Sequence, residues 1–353
     1  MKASIKILIL LTASFLIGIS LPLILFFGSR TVDPSKNGFE RKFRISQAIP
    51  TMSNVLDLKF KGYYIAGNTD HNLFLGHRDA PAHIVMTDTD LRDTVHFNLQ
   101  LKVSTENKKF NAARLKVRID SPATYMIDGP AGMVLKGNLF SDTVDVSGYD
   151  NFSFDDFHSI SKNGTVFKIL DVDRGRTQLT LKNSRLDSPL TYTLQKQVDG
   201  IFCCDGVLLY DKVLEQLLHI FYYRNQIISL DTLLRERYIS RTVDTVSKAQ
   251  IELVEINSGR ERTFGKIPTK VNRRSCVYGS NLYINSSVKS DNETWDLFGR
   301  HSVVDVYHTK NGNYRYSFYL PKYQDRELRD FQVIDQTVFV LYQNHLVTYR
   351  LKE

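Results

Sequence analysis

Short apolar runs, separated by polar turns, make up most of the chain from Val55 onward. Apolar runs of this length, bounded by turn residues, are typical of β-strands. Gly, Asp and Asn interrupt the runs at close intervals, which is typical of turns between strands. Long helical periodicity is missing, and even the Leu-rich segment 213–223 is flanked by alternating runs. The pattern predicts an all-β domain.

A unit made of a turn, a short apolar strand, a gap and a polar-tipped hairpin recurs along this domain. The clearest copy covers residues 279–320, with a hairpin turn at 310–313. Further copies lie at 72–101, 206–230 and 337–351, and weaker copies lie at 124–144 and 152–181. One such unit cannot bury both of its faces alone, so the units are expected to pack against one another.

The number and spacing of the copies favour a six-bladed β-propeller. If Leu73 and Val338 are equivalent positions, six copies give five intervals across 265 residues, or about 53 residues per unit, close to the size of a four-stranded propeller blade. A propeller ring must be closed, and the strand predicted at 55–60 is expected to complete the last blade. Two β-sandwiches joined near 184–197 are the alternative architecture.

An uncharged segment at residues 7–29 precedes this domain and predicts one N-terminal transmembrane helix, because its apolar part is long enough to cross a bilayer. The predicted organisation is a cytoplasmic n-region at 1–6, a transmembrane signal-anchor at 7–29, a linker or collar at 30–54 and the propeller domain at 55–353. The alternative is a cleaved signal peptide, with a small-x-small site at Gly18-Ile19-Ser20.

The residues that flank the segment give conflicting indications of its orientation. Lys2 and Lys6 precede it, whereas five basic residues follow it closely, and a literal count of Lys and Arg would leave the domain in the cytoplasm. However, an apolar segment directly behind a basic n-region is the layout of an export signal. We expect a single-pass protein of the inner membrane, with the large domain on the periplasmic side.

Composition excludes other classes of protein. The chain has 353 residues, of which 42% are hydrophobic and 11% aromatic, too many core-forming residues for a disordered chain. Nine Pro and 19 Gly exclude a collagen-like or low-complexity architecture. Most of the chain is therefore expected to fold.

Three phrases of the sequence, at 197–203, 221–228 and 271–276, resemble those of exported, membrane-tethered, six-bladed propeller-like proteins of Gram-negative bacteria. The resemblance covers nearly the whole exported part and implies the same fold and the same location. That family has no established activity, so the resemblance implies no catalytic residue, cofactor or metal ligand.

Three cysteines are few for an exported chain, but all of them would experience an oxidising compartment. A disulfide between Cys203 and Cys276 is the candidate bridge, and it would close a long loop. Three buried, inert thiols are the alternative, because adjacent strand residues such as Cys203 and Cys204 point to opposite faces. A redox role is disfavoured because no Cys-x-x-Cys spacing is present.

Motifs that carry catalytic chemistry are missing from the sequence: there is no Gly-x-Ser-x-Gly elbow, His-Glu-x-x-His helix, phosphate-binding Gly loop or dinucleotide fingerprint. His71, His77 and His83 recur at intervals of six, but a metal site would need two turns to bring them together. We expect no catalytic residue, no cofactor and no metal.

The whole chain has a formal net charge of +8. Part of this positive charge is concentrated between residues 260 and 274. The candidate partner-binding residues are these basic side chains and the single tryptophan: Arg260, Arg262, Lys266, Lys270, Arg273, Arg274 and Trp295. Clustered Arg with an aromatic side chain is typical of anchors for an anionic ligand or an envelope protein. A solvated loop is the alternative. Nucleic acid is not an expected partner, since no recognition motif is present.

Two functions are compatible with this sequence. The first is a non-enzymatic, membrane-anchored scaffold that binds a partner or ligand on one face of the ring. The second is a hydrolase or lyase that acts on a carbohydrate or small molecule at the central channel, since propellers host both kinds of function. An enzyme would need converging His, Asp or Glu side chains with shifted pKa values.

Overall fold

The computed structural model describes residues 36–43, 48–102, 112–139, 143–149, 152–256 and 261–351, together with residues 6, 12, 14–16 and 18–20. Among the described residues from 36 to 351, the elements are strands apart from two 3₁₀ turns at Ala112–Arg114 and Phe202–Cys204 and one short helix, α1 (Trp295–Arg300). The prediction of an all-β domain is therefore confirmed.

The strands form six units of four antiparallel strands, which we number in chain order. Unit 1 contains β2 (Tyr63–Asn68), β3 (Asn72–His77), β4 (His83–Asp88) and β5 (Thr94–Asn98). Unit 2 contains β7 (Lys116–Asp120), β8 (Ala123–Asp128), β9 (Met133–Asn138) and β10 (Thr143–Tyr149). Unit 3 contains β11 (Asp156–Ser159), β12 (Gly164–Asp171), β13 (Arg176–Asn183) and β14 (Leu190–Thr193).

Unit 4 contains β15 (Gly206–Asp211), β16 (Gln216–Phe221), β17 (Gln226–Asp231) and β18 (Glu236–Arg241). Unit 5 contains β21 (Asn272–Tyr278), β22 (Asn281–Ser286), β23 (His301–His308) and β24 (Tyr314–Pro321). Unit 6 contains β25 (Asp330–Ile334), β26 (Thr337–Leu341), β27 (His345–Arg350) and the N-terminal strand β1 (Thr51–Asp57). The short strand β6 (Gln100–Lys102) pairs with β10, and β19 (Leu253–Ile256) and β20 (Glu261–Phe264) form a separate hairpin.

Most of the units place their first strand beside the first strand of the next unit. β2 lies beside β7, β11 beside β15, β15 beside β21, β21 beside β25, and β25 beside β2. The pairing of β2 with β7 is parallel and joins units 1 and 2 into one larger sheet. It occurs at Gly67 and Ile119, where a Cβ atom on Gly67 would collide with the carbonyl oxygen of Ile119. A glycine is needed at this position because the two backbones approach so closely.

Apolar side chains fill the space between consecutive units. Strand β16 illustrates the pattern, because Leu217 and Phe221 pack between units 3 and 4 whereas Leu218 and Ile220 pack between units 4 and 5. Both faces of the strand are buried, and its alternating side chains therefore serve two cores. Four further boundaries between units have clusters of the same kind, and one of these joins unit 6 to unit 1 through Phe339 and Leu73.

The N-terminal strand differs from its predicted bounds. β1 begins at Thr51, four residues before the predicted start, and its Leu56 lies opposite Leu346 of β27. Phe60, the predicted end of the strand, lies outside β1 and is exposed. Part of the predicted linker at 30–54 is consequently a strand, and residues 36–43 of it pack against unit 5, where Arg41 is buried.

The predicted transmembrane segment at 7–29 lies mostly outside the described residues. Its described positions, at 12, 14–16 and 18–20, have helical backbone. Among all described residues, none belongs to a helix of sufficient length and apolar character to cross a membrane.

Candidate functional site

Four basic side chains line one cavity of about 270 Å³ between units 5 and 6. We call this cavity the basic pocket, and its lining residues are Lys270, Arg273, Arg274, Asn285, Leu328 and Arg329. Three of the four cations were candidates from the sequence, and the fourth, Arg329, comes from the chain just before β25. Among the described residues that line the basic pocket, none carries a carboxylate. The structure therefore brings the centre of the predicted basic run together with one cation from the next unit.

A bulge at the start of β21 explains why two consecutive arginines are exposed. The pairing of β21 with β22 shifts register between Asn272 and Arg274. Asn272 itself is buried and donates from Nδ2 to the carbonyl oxygen of Phe221 at 2.9 Å. A bulge breaks the normal alternation of side chains, so Arg273 and Arg274 can both point away from the core.

Two carboxylates lie near the cations of the basic pocket, Glu327 beside Arg273 and Asp330 near Arg274. Arg273 lies 3.5 Å from the Glu327 carboxylate, and both side chains are more than half exposed. Arg274 donates from Nε to the carbonyl oxygen of Arg329 at 2.8 Å, and the ammonium of Lys270 lies 4.4 Å from the ring centroid of Tyr222. Guanidinium groups match carboxylate and phosphate oxygens in two-point contacts, so the basic pocket has the chemistry of an anion site.

The remaining basic candidates do not reach the basic pocket. Arg262 on β20 pairs with Glu255 at 3.2 Å, and Lys266 pairs with Glu252 at 3.0 Å. Both pairs are exposed, and such pairs contribute little to stability. Arg260 lies outside the described residues. The predicted basic run is thus divided between a paired hairpin and the basic pocket.

Trp295 is the first residue of α1 and is 65% exposed. Its helix begins after Thr294, whose Oγ1 accepts from the amide of Leu297 at 3.2 Å. The ammonium of Lys289 lies 5.3 Å from the tryptophan ring centroid. The sequence could not indicate a helix here, because it spans only six residues.

The N-terminal segment packs next to the basic pocket. Phe39 shares a small apolar cluster with Val271 and Val288, and Val271 directly follows Lys270. Ser287 connects the two regions, since its amide donates to the carbonyl oxygen of Val271 at 2.9 Å and its hydroxyl donates to that of Lys270. The chain that leads from the predicted membrane segment is therefore fastened beside the cations.

A second region of charged side chains lies between the first strands of the units. A cavity of about 690 Å³ is lined mainly by residues of β2, β7, β11 and β15, and a second cavity of about 290 Å³ adjoins it. We call them the inner cavities. Arg118 and Asp156 line both of them and form an ion pair at 2.7 Å.

Each acid of this region that lines the larger inner cavity is paired with a cation. Burial would raise the pKa of Asp156, but the charge and hydrogen bond of Arg118, together with the charges of His158 and Lys168, lower that pKa. Asp155 lies 2.7 Å from the buried ammonium of Lys168, which also contacts Asp205 at 2.9 Å. Burial would lower the pKa of Lys168, but these two carboxylates together raise it. Lys168 is thus held as a cation.

His158 is the histidine of the inner cavities. Burial, followed by the charge of Arg118, lowers its pKa to about 4, so the ring is neutral at pH 7. Its Nε2 lies 2.9 Å from the carbonyl oxygen of Leu208, so Nε2 carries the proton in this contact. His158, Arg118 and Asp156 could not be recognised as one cluster from the sequence, because Arg118 is on β7 and the other two are on β11, in different units.

The histidines that recur in the sequence have local partners. The Nε2 atom of His77 bonds the carbonyl oxygen of Lys61 at 2.7 Å, whereas His83 Nε2 lies 3.3 Å from Nδ1 of His96. Among the residues that the structure describes, no group of three or more His, Cys, Asp or Glu side chains is arranged to hold a metal ion.

The three cysteines are buried, free thiols. Cys203 and Cys204 lie in the cluster between units 3 and 4, whereas Cys276 lies in the cluster between units 5 and 6. Cys203 Sγ contacts Cys204 Sγ at 3.9 Å. The predicted Cys203–Cys276 bridge is not formed in the structure, and it stays a prediction.

The Cys203 thiol has an unusual environment. A hydrogen bond from Cys204 and further bonds from backbone amides lower the pKa of Cys203 to about 6, whereas the same contact and burial raise the pKa of Cys204. Arg224, buried nearby, donates to the carbonyl oxygens of Cys203 and Gln195. Because both thiols are fully buried, this site is closed to large molecules.

No protein-family model matches the chain, and no curated protein matches its sequence. Solved structures do match. A Bacteroides fragilis protein titled "Putative exported protein" is 11% identical, with 88% of this chain and 98% of that chain covered at a TM-score of 0.51. A DUF4221 family member from Bacteroides vulgatus is 10% identical, with 90% and 99% covered at a TM-score of 0.49.

The computationally designed Ika8 protein is 8% identical to this chain and covers 86% of it, with 99% of its own length matched at a TM-score of 0.42. At such low identity, the likeness to the Bacteroides fragilis protein shows a similar fold and carries no information about activity.

Proposed function

We propose that the six units form a closed six-bladed propeller. Two observations support closure: an apolar cluster joins unit 6 to unit 1, and β25 lies beside β2. Strand β1 supports it as well, because the N-terminal strand completes a unit whose other three strands come from the C-terminal end. Two independent sandwiches would not share a core between the first and last units.

We further propose that the domain is exported and anchored in the inner membrane by residues 7–29. The support is the uncharged segment behind a basic n-region. An alkaline phosphatase fused after Leu351 should be active in a Gram-negative host, since that enzyme folds only where disulfides form. A β-galactosidase fused at the same point is the matched reporter. Activity of the β-galactosidase fusion alone would contradict export.

We infer that the protein is a non-enzymatic scaffold that binds an anionic ligand or partner in the basic pocket. The observation that carries this proposal is the convergence of Lys270, Arg273, Arg274 and Arg329 on one cavity whose described lining contains no acidic residue. Such an arrangement costs electrostatic free energy in the unbound protein, and an anion would relieve that cost.

Charge pairing in the inner cavities favours binding over the alternative of a hydrolase or lyase. A general acid must hold a proton near neutral pH. Asp156 is instead kept ionised by Arg118, and the ring of His158 is neutral with its Nε2 proton directed to a backbone carbonyl. These groups have the character of structural pairs.

Binding is tested with the full chain in detergent micelles and two soluble probes, a polyphosphate and an oligogalacturonate. We expect at least one probe to bind, with affinity that falls as salt rises. Arg273→Glu combined with Arg274→Glu should abolish this binding and leave the thermal transition nearly unchanged. The matched control is Arg235→Glu with Arg237→Glu, which makes the same charge change at exposed positions near the start of β18. Equal loss in both variants, or no loss in the first, would contradict the basic pocket as the site.

A further inference from the structure

We propose that the surface around the basic pocket faces the bilayer to which the chain is anchored, and that the basic pocket binds the headgroups of anionic phospholipids. This inference rests on the proposed function, because it requires the anchor and names the ligand class of the same site. Three features of the molecule support it: the length of the tether, its point of attachment, and the side chains exposed around that point.

The tether between the anchor and the domain is short. Residues 30–36 separate the predicted membrane segment from Asn37, and seven residues reach at most about 25 Å in any conformation. A domain of this size is about 50 Å across. The tether is therefore too short to let the domain turn its far side to the membrane, and the surface that holds Asn37 must lie close to the bilayer.

Asn37 is fixed on the same surface as the basic pocket. Its amide donates to Asp291 Oδ1 at 2.7 Å, and the amide of Gly38 donates to Oδ2 of the same carboxylate at 3.0 Å. Asp291 lies in the connection between β22 and β23, which begins at Ser287 beside Lys270. Phe39 continues the attachment by packing with Val271. The exit point of the tether and the basic pocket thus share one surface.

Two large apolar side chains project from this part of the chain into solvent. Ile267 is 96% exposed and stands between Lys266 and Lys270 in sequence, and Trp295 is 65% exposed four residues after Asp291. Exposed aliphatic and tryptophan side chains next to basic ones are typical of surfaces that enter the headgroup region of a bilayer. A soluble anionic ligand would not explain why both apolar side chains remain uncovered.

The charge of the basic pocket fits an anionic bilayer. Each basic side chain near an anionic membrane surface increases binding by about fivefold, and this attraction falls off within a Debye length of about 8 Å. Because the tether holds the basic pocket near the surface, its four cations are kept within range of lipid phosphates. The planar guanidinium groups of Arg273, Arg274 and Arg329 match phosphate oxygens.

The single tryptophan of the chain makes the contact measurable, since Trp295 fluorescence reports on this surface alone. The full chain is reconstituted into vesicles of phosphatidylcholine, with or without phosphatidylglycerol, that contain lipids brominated near the headgroup. We expect strong quenching of Trp295 in the vesicles with phosphatidylglycerol and about twofold less in those with phosphatidylcholine alone. Arg273→Glu with Arg274→Glu should remove this difference, and Ile267→Asp should weaken quenching, whereas Arg235→Glu with Arg237→Glu should change neither.

Each outcome separates this inference from the proposed function. If Trp295 is not quenched in either vesicle while polyphosphate still binds the basic pocket in micelles, the anion scaffold stands and the membrane-facing surface is wrong. If quenching is equal with and without phosphatidylglycerol, the tether brings the surface to the bilayer but the pocket does not bind anionic lipid, which also overturns the proposal. If the chain does not float with phosphatidylcholine vesicles, the anchor itself is wrong, and this inference falls with it.

Discussion

Nε of Arg41 lies 2.7 Å from Oδ1 of Asp305, which fastens the N-terminal segment to the third strand of unit 5. Arg41 also contacts Glu293 at 2.5 Å and donates to Ser286 Oγ at 2.9 Å. Arg41, Glu293 and Asp305 are almost fully buried. Burial would lower the pKa of Arg41, but the two carboxylates together raise it, so the guanidinium stays charged.

Replacement of Arg41 by Ala should destabilise the domain strongly, because it leaves two carboxylates buried without their cation. We expect the free energy of unfolding to fall by about 3–5 kcal/mol, measured by denaturant titration. The matched control is Arg300→Ala, which breaks an exposed pair with Asp296 and should cost less than about 0.5 kcal/mol. Similar losses in the two variants would show that the Arg41 network is not buried in solution.

The second prediction concerns the contribution of β1 to unit 6. Leu56 pairs with Leu346, so Leu56→Pro removes a backbone donor from the strand that completes the unit. We expect a loss of at least about 3 kcal/mol, together with lower cooperativity of unfolding, measured by denaturant titration and circular dichroism. Leu56→Ile is the matched control, because it keeps the backbone donor and the apolar volume. Unchanged stability of the proline variant would mean that β1 does not hold the last unit together.

Much of the strand pattern could be predicted from the sequence because both faces of the strands are buried and their bounds are marked by turn residues. The predicted hairpin turn at 310–313 lies between β23 and β24, and segment 213–223 contains β16 rather than a helix. The boundaries of the units were harder to predict, since every hairpin looks alike. The predicted copy at 206 starts on the first strand of its unit, whereas the copy at 279 leads into the second.

Only the part of the candidate site whose residues are close together in the sequence could be predicted. Lys270, Arg273 and Arg274 lie within five residues, so the basic run was visible in the sequence. Arg329 comes 55 residues after Arg274 and joins the pocket because β21 lies beside β25. The Arg118–Asp156 pair also joins two units. Contacts of this kind depend on how units are arranged, and composition and spacing do not record that arrangement.

The third prediction is a pH dependence of stability that originates from His219. Burial, followed by the charge of Lys168, lowers the pKa of His219 to about 3, and its Nε2 lies 3.1 Å from the carbonyl oxygen of Cys204. In the unfolded chain the His219 ring takes up a proton as the pH falls through about 6.5. In the folded chain the buried ring is still neutral at that pH. The contribution of the neutral ring to stability is complete above pH 6.5 and is lost as the pH falls toward 3.

Lowering the pH from 7 to 5 should reduce the free energy of unfolding of the native protein by about 2 kcal/mol more than that of the His219→Gln variant. Glutamine is chosen because its amide can still donate to the carbonyl oxygen of Cys204. The measurement is the denaturant midpoint at the two pH values. His71→Gln, at an exposed position, should behave like the native protein. Parallel pH profiles for the native and His219→Gln proteins would contradict a neutral, buried His219.

The last prediction concerns the thiols and decides between the bridge expected from the sequence and the free cysteines of the structure. Burial raises the pKa of Cys276 well above its ordinary value, so it remains a protonated thiol and a poor nucleophile. Cys203 Sγ lies 3.2 Å from the amide nitrogen of Gln197 and 2.9 Å from the carbonyl oxygen of Asp199, which hold it within its own cluster.

Protein purified without reductant from the exported fraction, unfolded in denaturant and alkylated with iodoacetamide, should therefore gain three carbamidomethyl groups by mass spectrometry. Cys204→Ser should gain two, because it removes one thiol and leaves the others free. A single modified cysteine at position 204 would instead establish the Cys203–Cys276 bridge, and unit 4 would then have to approach the core between units 5 and 6. A single modified cysteine at position 276 would mean that the adjacent sulfurs, 3.9 Å apart in the folded protein, had been oxidised to each other.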